Sequence, residues 1–332
     1  MILPDFEYHR PASLEEAAKL LRQHGPAARL VAGGTDLYPN MKNNLLRPEA
    51  VVSLRNLDVR APELAAEGHL RVDARMTLAD LAASPEVRRH APLLADSALE
   101  VGSNQIRQMG TLGGNLCQES RCLQFNQSHE FQFQEPCYKL GGEVCYPYPG
   151  PEKNCWAVFM SDTAPALLCL EAQAEVLGAG GLGQMPLAGL YTGDGMRPLS
   201  LANDRILTAL LLPAAPARTG SAFAKYSVRG GLDFAVVAVA VWLRLESDGV
   251  TCAEARIGLG SVAGGPLRAP QAEAQLRGGP LDGAALDQAS RTVSEEIRPV
   301  PHHGFSLGFL RHYLRVYSRR AMAVARTAAA ES

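Results

Sequence analysis

Two turns built on paired glycines constrain this chain more than any other feature. The first is Val31-Ala-Gly-Gly-Thr-Asp-Leu37, entered from the short apolar run Arg29–Ala32. Paired glycines let a backbone approach a ligand closely and take φ > 0 without a Cβ penalty. Successive N–H groups in such a turn can make a nest for an anion such as pyrophosphate, and Thr35 adds a hydroxyl donor. A single Gly-Gly pair is also what a plain tight turn uses, so this signal is weak on its own. The second turn lies within Gln105-Ile-Arg-Gln-Met-Gly-Thr-Leu-Gly-Gly-Asn115, with Arg107 upstream. Two such turns can grip the two phosphates of one dinucleotide. Neither has the G-x-G-x-x-G spacing and no G-x-x-x-x-G-K-[ST] run occurs, so a Rossmann NAD site and a P-loop are disfavoured.

The 332 residues suffice for two or three domains and a sizeable core. A formal net charge of −2 gives no basic field for nucleic acid or an anionic membrane. No apolar run reaches the roughly 18 residues that a membrane span needs. The start, Met1-Ile-Leu-Pro-Asp-Phe-Glu7, lacks the basic and apolar regions of a secretory leader. A cytoplasmic chain is the expectation.

Local signals define the elements around the turns. Ser13-Leu-Glu-Glu16 is a capping box, followed by Leu14, Ala17, Ala18 and Leu21 at helical spacing and a stop at Gly25. Strands are expected at Arg29–Ala32 and Ala50–Leu54, giving a small βαβ-like unit, and at Leu70–Ala74. Helices are expected from Thr77 and over Ala91–Leu99. Regular structure resumes after Trp156 with Ala164–Leu170 and Ala174–Leu177. Pro213-Ala-Ala-Pro216 reads as a linker. Strand candidates Ala235–Leu245 and Ala255–Leu259 follow it, then helices around Ala269–Leu276, Ala284–Ile297 and Leu307–Ala328.

Between Gln118 and Trp156 the pattern breaks. The stretch holds Phe125, Phe131, Phe133, Tyr138, Tyr146 and Tyr148, with Gly141-Gly142 and Pro147-Tyr-Pro149-Gly-Pro151. A loop this long is usually functional or disordered, and its aromatics and cysteines argue against disorder. Five of the seven cysteines crowd here: Cys117, Cys122, Cys137, Cys145 and Cys155. Such clustering reads as a metal or cluster site rather than a disulfide framework. Thiolates suit iron–sulfur chemistry, and four are needed. Gaps of fourteen, seven and nine residues separate Cys122, Cys137, Cys145 and Cys155, unlike the paired C-x2-C of a zinc ribbon. Spacing alone leaves a four-thiolate zinc site or free thiols open. Cys117 reads as packing at the turn and Cys169 as a core residue. His302 and His303 read as a surface pair.

Ala32-Gly-Gly-Thr-Asp36 and Ile106–Asn115 together resemble the FAD-binding subunit of the xanthine dehydrogenase family of molybdenum hydroxylases. Ser161-Asp-Thr-Ala-Pro-Ala-Leu-Leu168, Lys225-Tyr-Ser-Val-Arg-Gly-Gly-Leu-Asp-Phe234, and Ile257–Ala263 with Pro266–Pro270 resemble later segments of that family. The insertion, with Leu116–Cys122 and Asn126-Gln-Ser128, is similar to the β subunit of 4-hydroxybenzoyl-CoA reductases, whose loop holds a [4Fe–4S] cluster.

The resemblance implies an α+β fold: a two-part FAD-binding domain of the vanillyl-alcohol-oxidase type over residues 1–215 (subdomains about 1–56 and 57–215, insertion about 118–156), then a smaller α+β C-terminal domain of the CO dehydrogenase flavoprotein type over 216–332. FAD lies extended, its pyrophosphate held by the backbone of both glycine turns. Implied FAD contacts are Val31, Ala32, Gly33, Gly34, Thr35, Asp36 and Leu37 in the first turn. Ser103, Thr111, Gly113, Gly114 and Asn115 serve around the second, and Gln124 in the insertion. Asp162 accepts from the adenosine end, the alternative being an N-cap for the following helix. Lys225 sits near the flavin ring, the alternative being a solvated lysine. Tyr191 covers the ring, the alternative being a half-buried core tyrosine. The implied cluster ligands are Cys122, Cys137, Cys145 and Cys155.

The implied function is electron transfer from ferredoxin through the [4Fe–4S] cluster and FAD to [2Fe–2S] centres and molybdenum-molybdopterin on partner subunits, as a dimer of heterotrimers. The overall reaction is then reductive dehydroxylation of an aromatic CoA thioester. An aldehyde or N-heterocycle dehydrogenase working oxidatively, NAD-linked or not, is the alternative in the same class. A zinc-stapled non-catalytic scaffold is the alternative from another class.

Overall fold

A computed structural model describes residues 2–65, 68–127, 135–150 and 153–332. Met1, Ser128, Phe131, Phe133 and Pro151, named above, lie outside the described residues.

The chain opens with strand β1 (Glu7–His9) and helix α1 (Leu14–His24). Ser13 Oγ accepts from the Glu16 N–H, while the Glu16 carboxylate reaches back to the Ala12 N–H. Gly25, at φ 56°, ends the helix. Strand β2 (Ala28–Val31), helix α2 (Leu37–Lys42) and strand β3 (Ala50–Ser53) follow. The three strands form a parallel sheet in the order β1-β3-β2, with the first glycine turn between β2 and α2.

Next come strands β4 (Glu63–Leu64) and β5 (His69–Asp73), then helices α3 (Leu78–Ala83), α4 (Pro85–His90), α5 (Pro92–Leu99), α6 (Asn104–Met109) and α7 (Leu112–Leu116). Helix α8 (Thr163–Cys169) follows the insertion and leads into strands β6 (Gln173–Gly178), β7 (Gly181–Pro186) and β8 (Ile206–Pro213). These strands form an antiparallel sheet ordered β4-β5-β8-β6-β7.

A third sheet, all antiparallel, takes the order β12-β11-β10-β9 from strands β9 (Thr219–Tyr226), β10 (Val237–Leu245), β11 (Cys252–Gly260) and β12 (Leu267–Arg268). Helices α9 (Pro270–Leu276), α10 (Gly283–Glu296) and α11 (Leu307–Glu331) close the chain. The architecture is α+β.

The run VAVAVWLRL of β10 shows why an unbroken apolar strand is needed here. Side chains alternate between the two faces of a strand. Val237, Val239, Val241, Leu243 and Leu245 face the core shared with Leu310, Leu314, Met322 and Ala325 of α11. Ala240 and Trp242 belong instead to the core built on α5, α8 and the middle sheet. The small side chains on that face allow close approach. A Cβ on Gly258 of β11 would lie 2.3 Å from the Pro165 carbonyl oxygen of α8. Cys169 is fully buried and donates weakly to the Ala240 carbonyl at 3.4 Å, so it is a core thiol. Among the described residues no helix is long and apolar enough to cross a membrane.

Candidate functional site

The two glycine turns meet. A Cβ on Gly33 would fall 1.8 Å from the Met109 carbonyl oxygen, and one on Gly110 would lie 3.4 Å from Thr35 Oγ1. Glycine at 33 is therefore a packing requirement: any side chain would wedge the turns apart. Gly34 takes φ 71°, over which the Tyr38 ring closes. Beside this junction runs a cleft of about 330 Å³, within the range of small-molecule sites. Thr35, Asp36, Gly110, Thr111, Gly114 and Asn115 line it from the turns. Asp162 and Met160 come from the approach to α8, and Arg229, Leu232, Asp233 and Phe234 overhang from the β9–β10 loop.

The turns are not two matched cradles. No described residue accepts from the N–H groups of Gly33, Gly34, Thr35 or Asp36, and of these residues Thr35 and Asp36 line the cleft, where their amides are free for an anion. In the second turn Gly113 N–H donates to the Ala74 carbonyl, Gly114 N–H to Thr111 Oγ1, and Asn115 N–H to the Thr111 carbonyl. The expectation of a second backbone cradle is corrected: Thr111 caps α7, and the helix consumes those donors. What the second turn offers is surface. Gly114 is exposed in the cleft, and Asn115 Oδ1 accepts from Ser161 Oγ and Thr163 Oγ1, both at 2.6 Å, so its amide nitrogen remains a donor. Arg107 is likewise spent on the carbonyls of Val101 and Gly102.

Asp162 and Lys225 touch. Lys225 Nζ donates to Asp162 Oδ2 at 2.7 Å and to the Glu100 carbonyl at 2.6 Å, and both side chains are at most 5 % exposed. Roles at opposite ends of one extended dinucleotide are incompatible with this contact, and Lys225 is no solvated lysine. Asp162 does not cap α8 through its side chain; Ser161 Oγ takes the Ala164 N–H instead. Burial pushes the Asp162 carboxyl up to about 6 although the Lys225 charge opposes it. Asp162 Oδ1 is buried without a partner in the wall of the cleft. An orphaned acceptor in the same cleft as the unbonded amides of Thr35 and Asp36 fits a ligand carrying both anionic and donor groups, as a flavin dinucleotide does.

Other expected residues serve the scaffold. Val31 is buried with Met41 and Val51, Leu37 packs on them, and Ala32 sits half-buried at the turn's entry. Ser103 Oγ caps α6. Tyr191 packs on Phe159 with ring centroids 5.0 Å apart and points its hydroxyl at the Leu116 carbonyl; it is a core tyrosine, not a lining residue. His302 and His303 are half-buried rather than a surface pair, and burial pushes His302 down to about 4.

Arg121 carried no role in the sequence, yet it is central. Its guanidinium pairs with Asp36, stacks over Phe234 at 4.6 Å, and lines the cleft. Asp36 also accepts from the Glu119 N–H at 3.0 Å, so its carboxylate fastens the insertion to the first turn rather than meeting a ligand. Arg121 directly precedes Cys122. The sequence signal for it was only a cation beside a candidate ligand.

The fold gathers the four cysteines. Cys122 interacts electrostatically with Cys137 and Cys145, and Cys155 with Cys145 and Cys122. Burial pushes the Cys155 thiol up to about 11 and raises Cys122, although the N–H groups of Phe125 and Gln124 point at the Cys122 sulfur. That N–H is what Gln124 contributes. No three of these sulfurs lie within 4.8 Å of one another, whereas a tetrahedral zinc with Zn–S of about 2.3 Å holds its sulfurs about 3.8 Å apart. Lys139 anchors the insertion, donating at 2.6 Å to Glu119, Ser120 Oγ and the Gly195 carbonyl. Gly142 is required there, since a Cβ would meet the Pro136 carbonyl oxygen at 1.7 Å. Cys117 lies outside this group, and burial pushes its thiol up to about 12.

The profile of the FAD binding domain in molybdopterin dehydrogenase matches residues 4–215, and that of the CO dehydrogenase flavoprotein C-terminal domain matches 222–329. The xanthine dehydrogenase FAD-binding subunit of Escherichia coli O157:H7 is 28% identical over 324 residues, 97% of this chain and 96% of that one. The carbon monoxide dehydrogenase medium chain of Afipia carboxidovorans is 31% identical over 290 residues, 87% of this chain and 85% of that one. A solved structure of reconstituted CO dehydrogenase from Oligotropha carboxidovorans superposes with a TM-score of 0.80 at 29% identity, over 99% of this chain and 100% of that one. A ligand-ready cleft at two touching glycine turns, on this two-domain frame, belongs to one lineage: the chain is a member of the FAD-binding medium subunits of the xanthine dehydrogenase and CO dehydrogenase family of oxidoreductases.

Proposed function

We propose that this chain carries FAD and a [4Fe–4S] cluster in a cytoplasmic molybdenum oxidoreductase complex, passing electrons from an external donor toward a molybdopterin subunit through a [2Fe–2S] subunit. One observation carries the reading: Arg121, which walls the cleft, is the residue before Cys122, so the cysteine cage abuts the flavin site. A four-iron cube is larger than a single ion and needs a wider cage, which suits four gathered cysteines of which no three sulfurs lie within 4.8 Å of one another.

When bound, FAD takes up two electrons and releases them singly, which matches one-electron iron–sulfur partners. The residues of this chain hold and shape that site. The N–H groups of the Gly33–Asp36 turn would receive the pyrophosphate, Asp162 Oδ1 would accept from the ligand, and the Asn115 amide would donate to it. Lys225 keeps Asp162 ionised and aimed. Phe234, held by Arg121, and Leu232 give the open side an apolar rim. The four cysteines must lose their protons to bind iron, which bound metal drives despite the burial that raises Cys122 and Cys155.

The substrate reading follows the insertion. The complex removes a phenolic hydroxyl reductively from an aromatic CoA thioester, with ferredoxin as donor and a dimer of heterotrimers as the assembly. A second reading, in which a molybdenum partner oxidises its substrate and electrons leave through this chain, is favoured by the similarity to subunits named for xanthine and carbon monoxide dehydrogenases. Anaerobic purification of the intact complex tests both, with iron, flavin and molybdenum quantified per chain. The reductive reading expects turnover of an aromatic CoA thioester with a low-potential donor. Turnover only of aldehydes, heterocycles or carbon monoxide with an acceptor dye selects the second. Cys137→Ser is expected to remove the chain's iron and keep its FAD. Zinc in place of iron, or iron unchanged in that variant, ends the cluster assignment.

A further inference from the structure

Glu7 and His9 stand two apart on β1, so their side chains leave the same face of the strand. β1 is the outer strand of its sheet, paired only with β3. His24 is the last residue of α1. The fold brings one ligand atom from each of Glu7, His9 and His24 within 4.8 Å of the others, the only such group among the described residues. His9 Nε2 lies 3.3 Å from Glu7 Oε2, and the two imidazole centroids are 4.9 Å apart. His9 Nε2 is shielded from solvent, and the nearby Glu7 carboxylate does not hydrogen-bond it. A buried ring nitrogen whose one polar neighbour makes no hydrogen bond to it asks for an explanation, and a metal ion shared between them is one.

Two imidazoles and one carboxylate are a donor set that zinc and its neighbours accept, with a water completing a tetrahedron. The set has no sulfur and no share in the cleft. We propose that Glu7, His9 and His24 form a three-ligand site for a divalent transition-metal ion, with zinc the one its donor set suits. The ion pins the outer strand β1 to the C-terminal end of α1. That helix leads through Gly25–Ala27 and β2 into the Gly33–Asp36 turn, so the site braces the chain that enters the cleft wall.

The test uses the intact complex, dialysed against free Zn²⁺ of about 100 µM at neutral pH and then gel-filtered, which retains only sites tighter than about that concentration. Zinc is counted per chain, and its shell is read by X-ray absorption at the zinc edge. The expected result is one zinc per chain with nitrogen and oxygen at about 2.0–2.1 Å and no sulfur at about 2.3 Å. His9→Ala and His24→Ala are expected to lose that zinc while keeping the FAD and iron content of the parent, which also reports that they fold. Glu7→Gln is expected to weaken binding at least about tenfold, since a neutral amide is a poorer ligand than a carboxylate. Three results overturn the site: no retained zinc, equal zinc in the histidine variants, or a sulfur shell that puts the ion at the cysteines.

Discussion

Lys225 reaches out of the C-terminal sheet to place its ammonium 2.7 Å from the carboxylate of Asp162, in the wall of the cleft. This buried pair joins the two halves at the site itself. Removing one partner of a buried pair strands the other charge and costs about 3–5 kcal/mol. Lys225→Met is expected to lower the urea midpoint of unfolding accordingly and to shed FAD. Asp162→Asn placed on top of it should restore part of the stability. A double variant no better than Lys225→Met would show that the two do not act as a pair.

The same carboxyl sets a pH dependence. Asp162 is raised from an ordinary 3.8 to about 6, so the folded chain holds this proton more tightly than the unfolded chain. The contribution of Asp162 to stability is therefore largest at low pH and falls as pH rises from about 4 to about 6, with no further change above. Urea midpoints across that window should show this downward slope superimposed on other groups, and Asp162→Asn should remove it. An unchanged pH profile in the variant would contradict the assignment.

Gly33→Ala tests the contact between the turns. The new methyl would sit 1.8 Å from the Met109 carbonyl oxygen, so the backbone must move. Overpacking of this kind costs about 1–3 kcal/mol, and here it also displaces the amides from Gly33 to Asp36. FAD retention after gel filtration should fall. Gly308→Ala, where a Cβ meets nothing within 4 Å, is the matched control and should change little.

Arg121→Lys keeps the charge and loses the planar stack on Phe234. A cation–π contact of this kind is worth about 1–2 kcal/mol when partly desolvated, which converts to roughly tenfold faster FAD release. Flavin fluorescence on dilution reads it. A release rate equal to that of the parent would place Phe234 outside the ligand's enclosure.

Lys139→Met probes the anchoring of the insertion. The lysine is 6 % exposed and satisfies a carboxylate, a hydroxyl and a carbonyl at once. Its loss leaves the half-buried Glu119 without a cation, held only by Ser120, at a cost of about 2–4 kcal/mol. Limited proteolysis between Gln118 and Trp156 should quicken, and iron content should drop before FAD content does. Unchanged cleavage would mean that the insertion is held elsewhere.

Elements with strong local chemistry were legible in the sequence. The Ser13–Glu16 box, the apolar run of β10 and the three closing helices stand within a few residues of where patterning put them. β1 was not legible: three residues, two of them exposed, carry no alternation. β8, with its run ILTALLLP, is apolar at nearly every position, and such a run has no period to read. The second turn misled for a physical reason. Gly113 and Gly114 are poor helix formers, yet the Thr111 cap and the packing of Gly113 on Ala74 make α7 there, and tertiary context overrides propensity. The junction of the turns, the partnership of Asp162 with Lys225 and the position of Arg121 all join residues far apart in sequence. Only folding could reveal them.

The two-faced strand β10 has a consequence for assembly on the ribosome. Its alanine and tryptophan side finds its cover only in a part of the chain already synthesised, and its valine side only in a helix still to come. A polypeptide severed at Pro213–Pro216 would leave two fragments, each with a raw greasy wall and half of the Asp162–Lys225 clasp. Expressed apart, such fragments would aggregate; made together in one cell, they would be drawn to each other and rebuild the cleft across the break.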